Sequence, residues 1–379
     1  MPTLDPVRWK HAATLAQRWT VEKKLPAITF LTGTKDAVHG PVSFGSHSVD
    51  GATPLVERPI YLIASITKPV VAMAALQLVE RGQIRLSDRV TDYFPEFGKQ
   101  GKYSVELRHL FTHTSGLPDM LPNNVELRQA QAPLSKFFSE ICELPLTFPA
   151  GRGVQYQSTG LLVLSEIVRK VTGRSMPDVL RQEIFQPLGM SDSELGVPDA
   201  WHAGLSTPGT SDQTSKIARI PELRVPADQA AATTWNWNSL YWRQLGAPWG
   251  GMLTTTEDFA KFAQLMLRGG KTPDGATIFS PALVSAATTN QLEMMVNVPE
   301  EDRRCRPWGL GWRLNWPGHS ASFGDLLSRV AYGHWGATGT LMWIDPARGT
   351  FAIIFSTEPY DTSGTQLVQL SNAIAAAWV

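Results

Sequence analysis

The chain has 379 residues, of which 43% are hydrophobic and 18% charged, a composition that suits a globular protein and excludes a disordered one. Lys plus Arg and Asp plus Glu both number 34, so the formal net charge is zero and no strong field exists to gather nucleic acid or an anionic membrane; neither is expected as a partner. The opening MPTLDPVRWKHAATLAQRW holds no apolar core of signal-peptide length, no apolar run reaches membrane-spanning length, and Cys142 and Cys305 fit free thiols better than a disulfide, so a cytoplasmic protein is expected.

DPVRWKHAATLAQRWTVEKK has helical apolar spacing, and Pro26 ends it. AITFLTG and PVSFGSHS follow as strands around a turn holding Gly40 and Pro41. YLIAS is a short apolar strand running into Ser65. From Ile66 to Arg81 the pattern is helical, with Pro69 in the first turn and Gly82 as the stop. Residues 83 to about 235 carry mostly helix signals broken by Pro/Gly loops, STGLLVLSEIVRKVTG and SMPDVLRQEIFQPLG among them; residues 204–234 read as an irregular excursion. Several of the 13 tryptophans crowd into WNWNSLYWRQLGAPWGG, which is either a loop packed on itself or a wall of an apolar ligand pocket. TTTEDFAKFAQLMLRGG is a helix with a Thr cap and acidic first turn. GLGWRLNW, GTLMWIDP and GTFAIIFSTE read as strands, the last two joined by a DPARG hairpin, and TQLVQLSNAIAAAWV closes the chain as a helix.

Strands therefore lie at both ends of the sequence and helices in the middle. The economical architecture is an α/β (α+β) fold: an antiparallel sheet built from residues 1–80 and 240–379, flanked by helices, with a mainly helical domain inserted at 81–239. The junction is the natural place for a cleft.

Three short stretches could carry chemistry there. Ser65 is the only serine in the chain with a lysine three residues on, Lys68. At average residue usage about one such pair arises by chance, so context must decide. Here the pair stands at a strand-to-helix junction, where a backbone N–H can meet an oxyanion and one helical turn puts both side chains on one face. A serine hydroxyl needs a base, and a lysine serves if burial lowers its pKa. The bland alternative is a capping serine and a solvated lysine. In PAGRGVQYQSTG, Tyr156 beside a lysine ammonium could shuttle a proton, and Ser158 could position Lys68 or a substrate amide; the alternative is a packed turn tyrosine and a helix cap. In YGHWGATGTLMWI, Gly336 would admit a substrate backbone, Ala337 N–H would be a second oxyanion donor and His334 would donate to substrate; the alternative is a turn before an edge strand with His334 exposed.

Ser-x-x-Lys at 65, Tyr-x-Ser at 156 and His-x-Gly at 334 stand in the order and spacing of the serine β-lactamase-like superfamily, and resemble its class C branch with the family VIII carboxylesterases. LRHLFTHTSGLP, IFQPLGMSDSELG, GGMLTTTEDFAKFAQLMLRGG and PWGLGW resemble that family's connecting segments, so the likeness runs from about residue 25 to 379. It implies a β-lactamase/transpeptidase-like fold and a Ser65 acyl-enzyme. Lys68 and Tyr156 share the acid and base work, with the order of proton transfer open. Ser65 and Ala337 N–H form the oxyanion hole, and neither metal nor organic cofactor is implied. Class C β-lactamases carry Lys-Thr-Gly where this chain has His334-Trp335-Gly336, and commonly Asn where it has Ser158. A neutral His and an apolar Trp335 weaken the case for a β-lactam carboxylate. The expectation is a carboxylesterase acting on small esters with an uncharged acyl group beside Trp335. The alternatives are a D-amino-acid peptidase or D-alanyl-D-alanine carboxypeptidase, a weak β-lactamase, or a non-catalytic binding protein. His113, in THTSGL, reads as a loop residue supporting the cleft rather than as the base. Oligomeric state is left open.

Overall fold

The structure is a computed structural model and describes residues 2–202, 215–232, 234–315, 323–360 and 365–379. Parts of the 204–234 excursion and Trp316 of GLGWRLNW lie outside these residues. Helix α1 (Pro6–Val21) begins at Asp5, whose carboxylate accepts from Val7 and Arg8 N–H, as a good N-cap should. Strands β1 (Ala27–Thr34) and β2 (Val38–Gly45) form a hairpin. Strand β2 starts three residues before the expected run, because Pro41 is tolerated inside it: β2 is a sheet edge, where a missing N–H costs nothing. Strand β3 is only Tyr61–Leu62; a 3-10 turn at Ala64–Ile66 then leads into α2 (Thr67–Glu80). In the middle of the chain α3 (Thr159–Thr172) runs to a left-handed Gly173. Strand β4 (Glu194–Leu195) adds a short extended piece to a region expected to be helical. Strand β5 (Met252–Thr254) leads into α4 (Thr256–Leu267), capped by Thr255. The chain ends in β6 (Arg313–Leu314), β7 (Tyr332–Gly336), β8 (Thr340–Asp345), β9 (Thr350–Ser356) and α5 (Thr365–Ala376).

The main sheet has six antiparallel strands in the order β2-β1-β9-β8-β7-β6, so its first and last strands in sequence are hydrogen-bonded neighbours through β1 and β9. A second sheet, β3-β5-β4, ties the approach to Ser65 to the middle of the chain. The period-two alternation of the strands sorts the core. Ile28, Phe30, Leu341, Trp343, Ala352 and Ile354 face Ala12, Ala16, Trp19, Leu367, Leu370 and Ile374 of α1 and α5. Leu31, Met342, Ile344, Phe351, Ile353 and Phe355 face the other way, into a core with Phe259 and Phe262 of α4. Strand β9 is buried on both faces, which is why it reads as a continuous apolar run.

Helix α2 is buried from Thr67 to Leu78, polar residues included. A helix apolar all round belongs in the middle of a protein, and this one carries Lys68 inside with it. Both cysteines are free, Cys142 buried and Cys305 exposed. Among the described residues no helix is long and apolar enough to cross a membrane.

Candidate active site

The geometry starts from a strained residue. Ala64 has φ +45°, in the left-handed region a non-glycine residue seldom enters. Holding it there costs on the order of 1–3 kcal/mol, and the surroundings enforce it. Ile63 N–H bonds to Met252 O at 3.0 Å, and Thr67 Oγ1 accepts Met252 N–H at 3.1 Å. From the opposite side Thr338 Oγ1 donates to Leu62 O at 2.6 Å and Thr340 Oγ1 to Ile63 O at 2.9 Å. The chain is thus clamped on both flanks of the turn that presents Ser65, which is partly exposed.

The same clamp sets Gly336 against the turn. A Cβ at residue 336 would come 2.3 Å from Thr340 Oγ1, 2.4 Å from Ile63 O and 3.0 Å from Ala64 Cβ. The glycine is needed for contact between β7 and the Ser65 turn. Its neighbour Ala337 is exposed beside that contact. His334, Trp335 and Gly336 lie within strand β7 and not in a turn ahead of the next strand; two glycines and a histidine in five residues give weak strand propensity.

Lys68 is 1% exposed, and its Nζ lies 2.9 Å from Ser65 Oγ and 2.9 Å from Trp249 O. Burial disfavours the ammonium and brings its pKa down to about 7, against a smaller opposing pull from the Asp119 carboxylate. Tyr156 lies beside the same pair, with Lys68 Nζ 4.7 Å from its ring centroid and Ser65 near enough to act on its phenol. Burial, aided by Asp119, pushes the phenol above its ordinary value. One hydroxyl therefore sits between an amine that is half deprotonated near neutrality and a phenol that holds its proton.

Around Tyr156 stand His113 (ring centroids 4.9 Å apart), His334 (5.8 Å) and Trp308 (6.0 Å). His113 is 1% exposed; its carbonyl accepts Gln155 N–H at 2.9 Å and its Nδ1 accepts Gln157 N–H at 3.1 Å. It brackets Tyr156 from both sides in sequence, as a supporting residue would. Burial and the nearby cations hold both histidines well below the ordinary imidazole value, so both are neutral at pH 7. His334 Nδ1 donates to Trp335 O at 2.6 Å, which leaves Nε2 as an acceptor, buried and without a partner. In that tautomer the neutral ring offers the site an acceptor, Nε2.

Ser158 is buried at the start of α3, where its N–H bonds to Asp119 O at 3.0 Å; its hydroxyl neither caps the helix nor reaches Lys68. The partner of Lys68 is the Trp249 carbonyl instead, from the tryptophan-rich stretch. That stretch is mainly packed on itself: Trp235, Trp242 and Trp249 are 4–5% exposed, with ring centroids 5.9 and 6.4 Å apart along the row. Trp249 and Ser158 also line a niche of about 10 Å³, room for about one water.

Trp335 is not a bare apolar wall. Its ring stacks on Tyr360 at 5.8 Å, and the Arg313 guanidinium lies 3.9 Å from its centroid. Arg313, Asp119, Thr338 and Thr340 were not singled out from the sequence. The two threonines of GATGT and the aspartate of SGLPDM flank quoted motifs, whereas an arginine in a strand carries no such signal.

Comparison with known proteins identifies the family and the fold. The family described as Beta-lactamase matches residues 12–376. A "Putative D-alanyl-D-alanine carboxypeptidase" of Escherichia coli is 26% identical over 380 residues, 90% of this chain and 81% of its own length. "Esterase EstB" of Burkholderia gladioli is 29% identical over 253 residues, 59% of this chain and 62% of its own. The crystal structure of a penicillin-binding protein homologue from Caulobacter crescentus superposes with a TM-score of 0.78 at 22% identity, covering 99% of both chains, and so shares the fold. With an antiparallel sheet flanked by helices, and a family match over nearly its whole length, the chain belongs to the beta-lactamase family and is a serine hydrolase of that kind.

Proposed function

We propose that the protein is a carboxylesterase that works through a Ser65 acyl-enzyme on small esters with an uncharged acyl group. In this reading neutral Lys68 takes the Ser65 proton as the hydroxyl attacks the ester carbonyl. The N–H groups of Ser65 and Ala337 hold the oxyanion. Tyr156 passes a proton to the departing alcohol, and water then releases the acid by the reverse sequence. Lys68 and Tyr156 supply the proton transfers, so the mechanism calls for no metal or organic cofactor. We place the reaction in the cleft where the sheet part (1–80 and 240–379) meets the mainly helical part (81–239). Gly336 packing on Ile63 and Ala64 gives the oxyanion pair its support.

The observation that carries this reading is the 2.9 Å contact between a buried lysine, half deprotonated near neutrality, and a serine hydroxyl presented on a strained turn. The esterase relative and the place of neutral His334 and Trp335 in the third motif favour esters. A second reading, hydrolysis of D-amino-acid amides, is favoured by the carboxypeptidase relative, which spans more of the chain. Purified protein with p-nitrophenyl butyrate, beside Ser65→Ala, tests the first. Release of D-alanine from D-alanyl amides without ester turnover would replace it with the second.

A further inference from the structure

Trp249 meets Lys68 through its backbone, so whatever fixes Trp249 also fixes the lysine. A neutral amine has two N–H groups and one lone pair. Lys68 Nζ is 2.9 Å from both Trp249 O and Ser65 Oγ, so an N–H given to the carbonyl turns the lone pair to the serine hydroxyl. The carbonyl belongs to a tight turn, in which Gly250 and Gly251 N–H bond to Ala247 O at 2.9 and 2.7 Å. A Cβ at residue 250 would stand 3.7 Å from Ala64 C and Cα, so the turn lies against the strained residue ahead of Ser65. The Trp249 ring packs on Phe137 and Trp242, with centroids 5.9 and 6.4 Å away. Trp242 in turn meets Trp235 at 5.9 Å, and the Arg128 guanidinium lies 4.4 Å from the Trp242 centroid and 4.7 Å from that of Trp235.

The indole N–H groups of all three tryptophans are buried without an acceptor among the described residues, so ring contacts and not side-chain hydrogen bonds hold the row. Arg128, on the short helix Asn124–Gln129, is 6% exposed. Its Nη2 reaches the Met120 sulfur at 3.7 Å and its Nε finds no acceptor among the described residues. A cation buried in this way is costly, and an apolar side chain would fill the same space at less cost. An apolar chain does not supply a flat charge that grips two indole rings at once. Gln131 Nε2 donates to Thr234 O at 3.1 Å and Tyr241 O–H to Ala132 O at 2.8 Å, which ties the segments on either side of this stack. We infer that Arg128 is a positioning residue: by gripping Trp235 and Trp242 it holds the Trp249 turn, and with it the carbonyl that aims Lys68 at Ser65. It touches neither substrate nor the reacting atoms, and the inference rests on Lys68 acting as the base, as proposed above.

The test follows the rate of Ser65 labelling by a fluorophosphonate, read by intact mass across the acid limb and its plateau, in wild type, Arg128→Lys, Arg128→Met and Trp242→Phe. This rate needs the Lys68–Ser65 pair and no ester substrate. Arg128→Lys keeps the charge and loses the flat stack. R128K and R128M should both label about tenfold more slowly on the plateau, as the amine loses its aim. Their acid limb should move about 0.5–1 pH unit lower, because an ammonium that loses a carbonyl acceptor gives up its proton more readily. W242F should do the same and add little when joined to R128K, since both act through one contact. With p-nitrophenyl butyrate the loss should fall on kcat and leave KM within about twofold. An acid limb unmoved in R128K and W242F, whatever their melting temperatures, overturns the inference and leaves the esterase reading intact. So does a wild-type rate in R128K with the limb of R128M moved to higher pH, which would make Arg128 a charge acting at a distance. Absence of ester turnover in wild type, with the limb shifts present, would refute the esterase reading and leave Arg128 in its role. A wild type that takes no label removes both.

Discussion

If Lys68 is the base, activity must follow its deprotonation. Its pKa of about 7 makes the neutral amine about 1% of the enzyme at pH 5 and about 90% at pH 8, so kcat/KM should rise about 90-fold over that range and then level off. The sign follows from the chemistry: the neutral form acts, so activity is present above the pKa and lost as pH falls through it. A lysine with the usual pKa near 10.4 would give no plateau below about pH 10. Nor would a Tyr156 phenolate base, because burial pushes that phenol above its ordinary value. The pH profile therefore separates the two orders of proton transfer that the sequence leaves open. The assay is initial-rate hydrolysis of p-nitrophenyl butyrate at low substrate from pH 5 to 9.5, corrected for spontaneous hydrolysis. A rate still climbing about tenfold per pH unit at pH 9 would refute the assignment of Lys68 as base.

Three further outcomes follow from neighbouring residues. Asp119→Asn removes the negative charge that opposes the fall of the Lys68 pKa, so the acid limb should move to lower pH by about 0.5–1; an unmoved or alkaline limb contradicts the field ascribed to Asp119. Gly336→Ala forces a Cβ against Ile63 O and Thr340 Oγ1; thermal unfolding should register a loss of about 1–3 kcal/mol, and kcat should drop by about 10²-fold as the Ala337 N–H shifts away from Ser65. Wild-type kcat in this variant would remove Ala337 from the oxyanion hole. His113→Ala should lower the melting temperature and cost less activity than Lys68→Ala while keeping the acid limb near pH 7, because His113 supports Tyr156 through Gln155 and Gln157. The reverse ranking would make His113 the base.

Much of the fold was legible because its signals are local. Asp5, Thr255 and Gly173 mark helix ends by their own chemistry, and β9 is apolar enough to read as a doubly buried strand. Strand β7 was not legible, since Tyr-Gly-His-Trp-Gly is held extended by its partners β6 and β8 and not by propensity. At the site, the meeting of Ser65, Lys68 and Tyr156 follows from motifs that each mark a helix start. The second partner of Lys68 was hidden because it is a backbone carbonyl, Trp249 O, which no residue type announces. Likewise Thr338 and Thr340 act on the carbonyls of Leu62 and Ile63 more than 270 positions away, and only the sheet brings them together. The tautomer of His334 depends on the neighbouring Trp335 carbonyl, which sequence does not orient.

The central claim is that Ser65 becomes acylated. Intact-mass spectrometry after incubation with p-nitrophenyl butyrate, and separately with a fluorophosphonate, tests it directly, with Ser65→Ala alongside. A single covalent adduct in wild type, mapped to Ser65 and absent from the variant, is the predicted result. No adduct from either reagent, or an equal adduct on Ser65→Ala, would contradict the account.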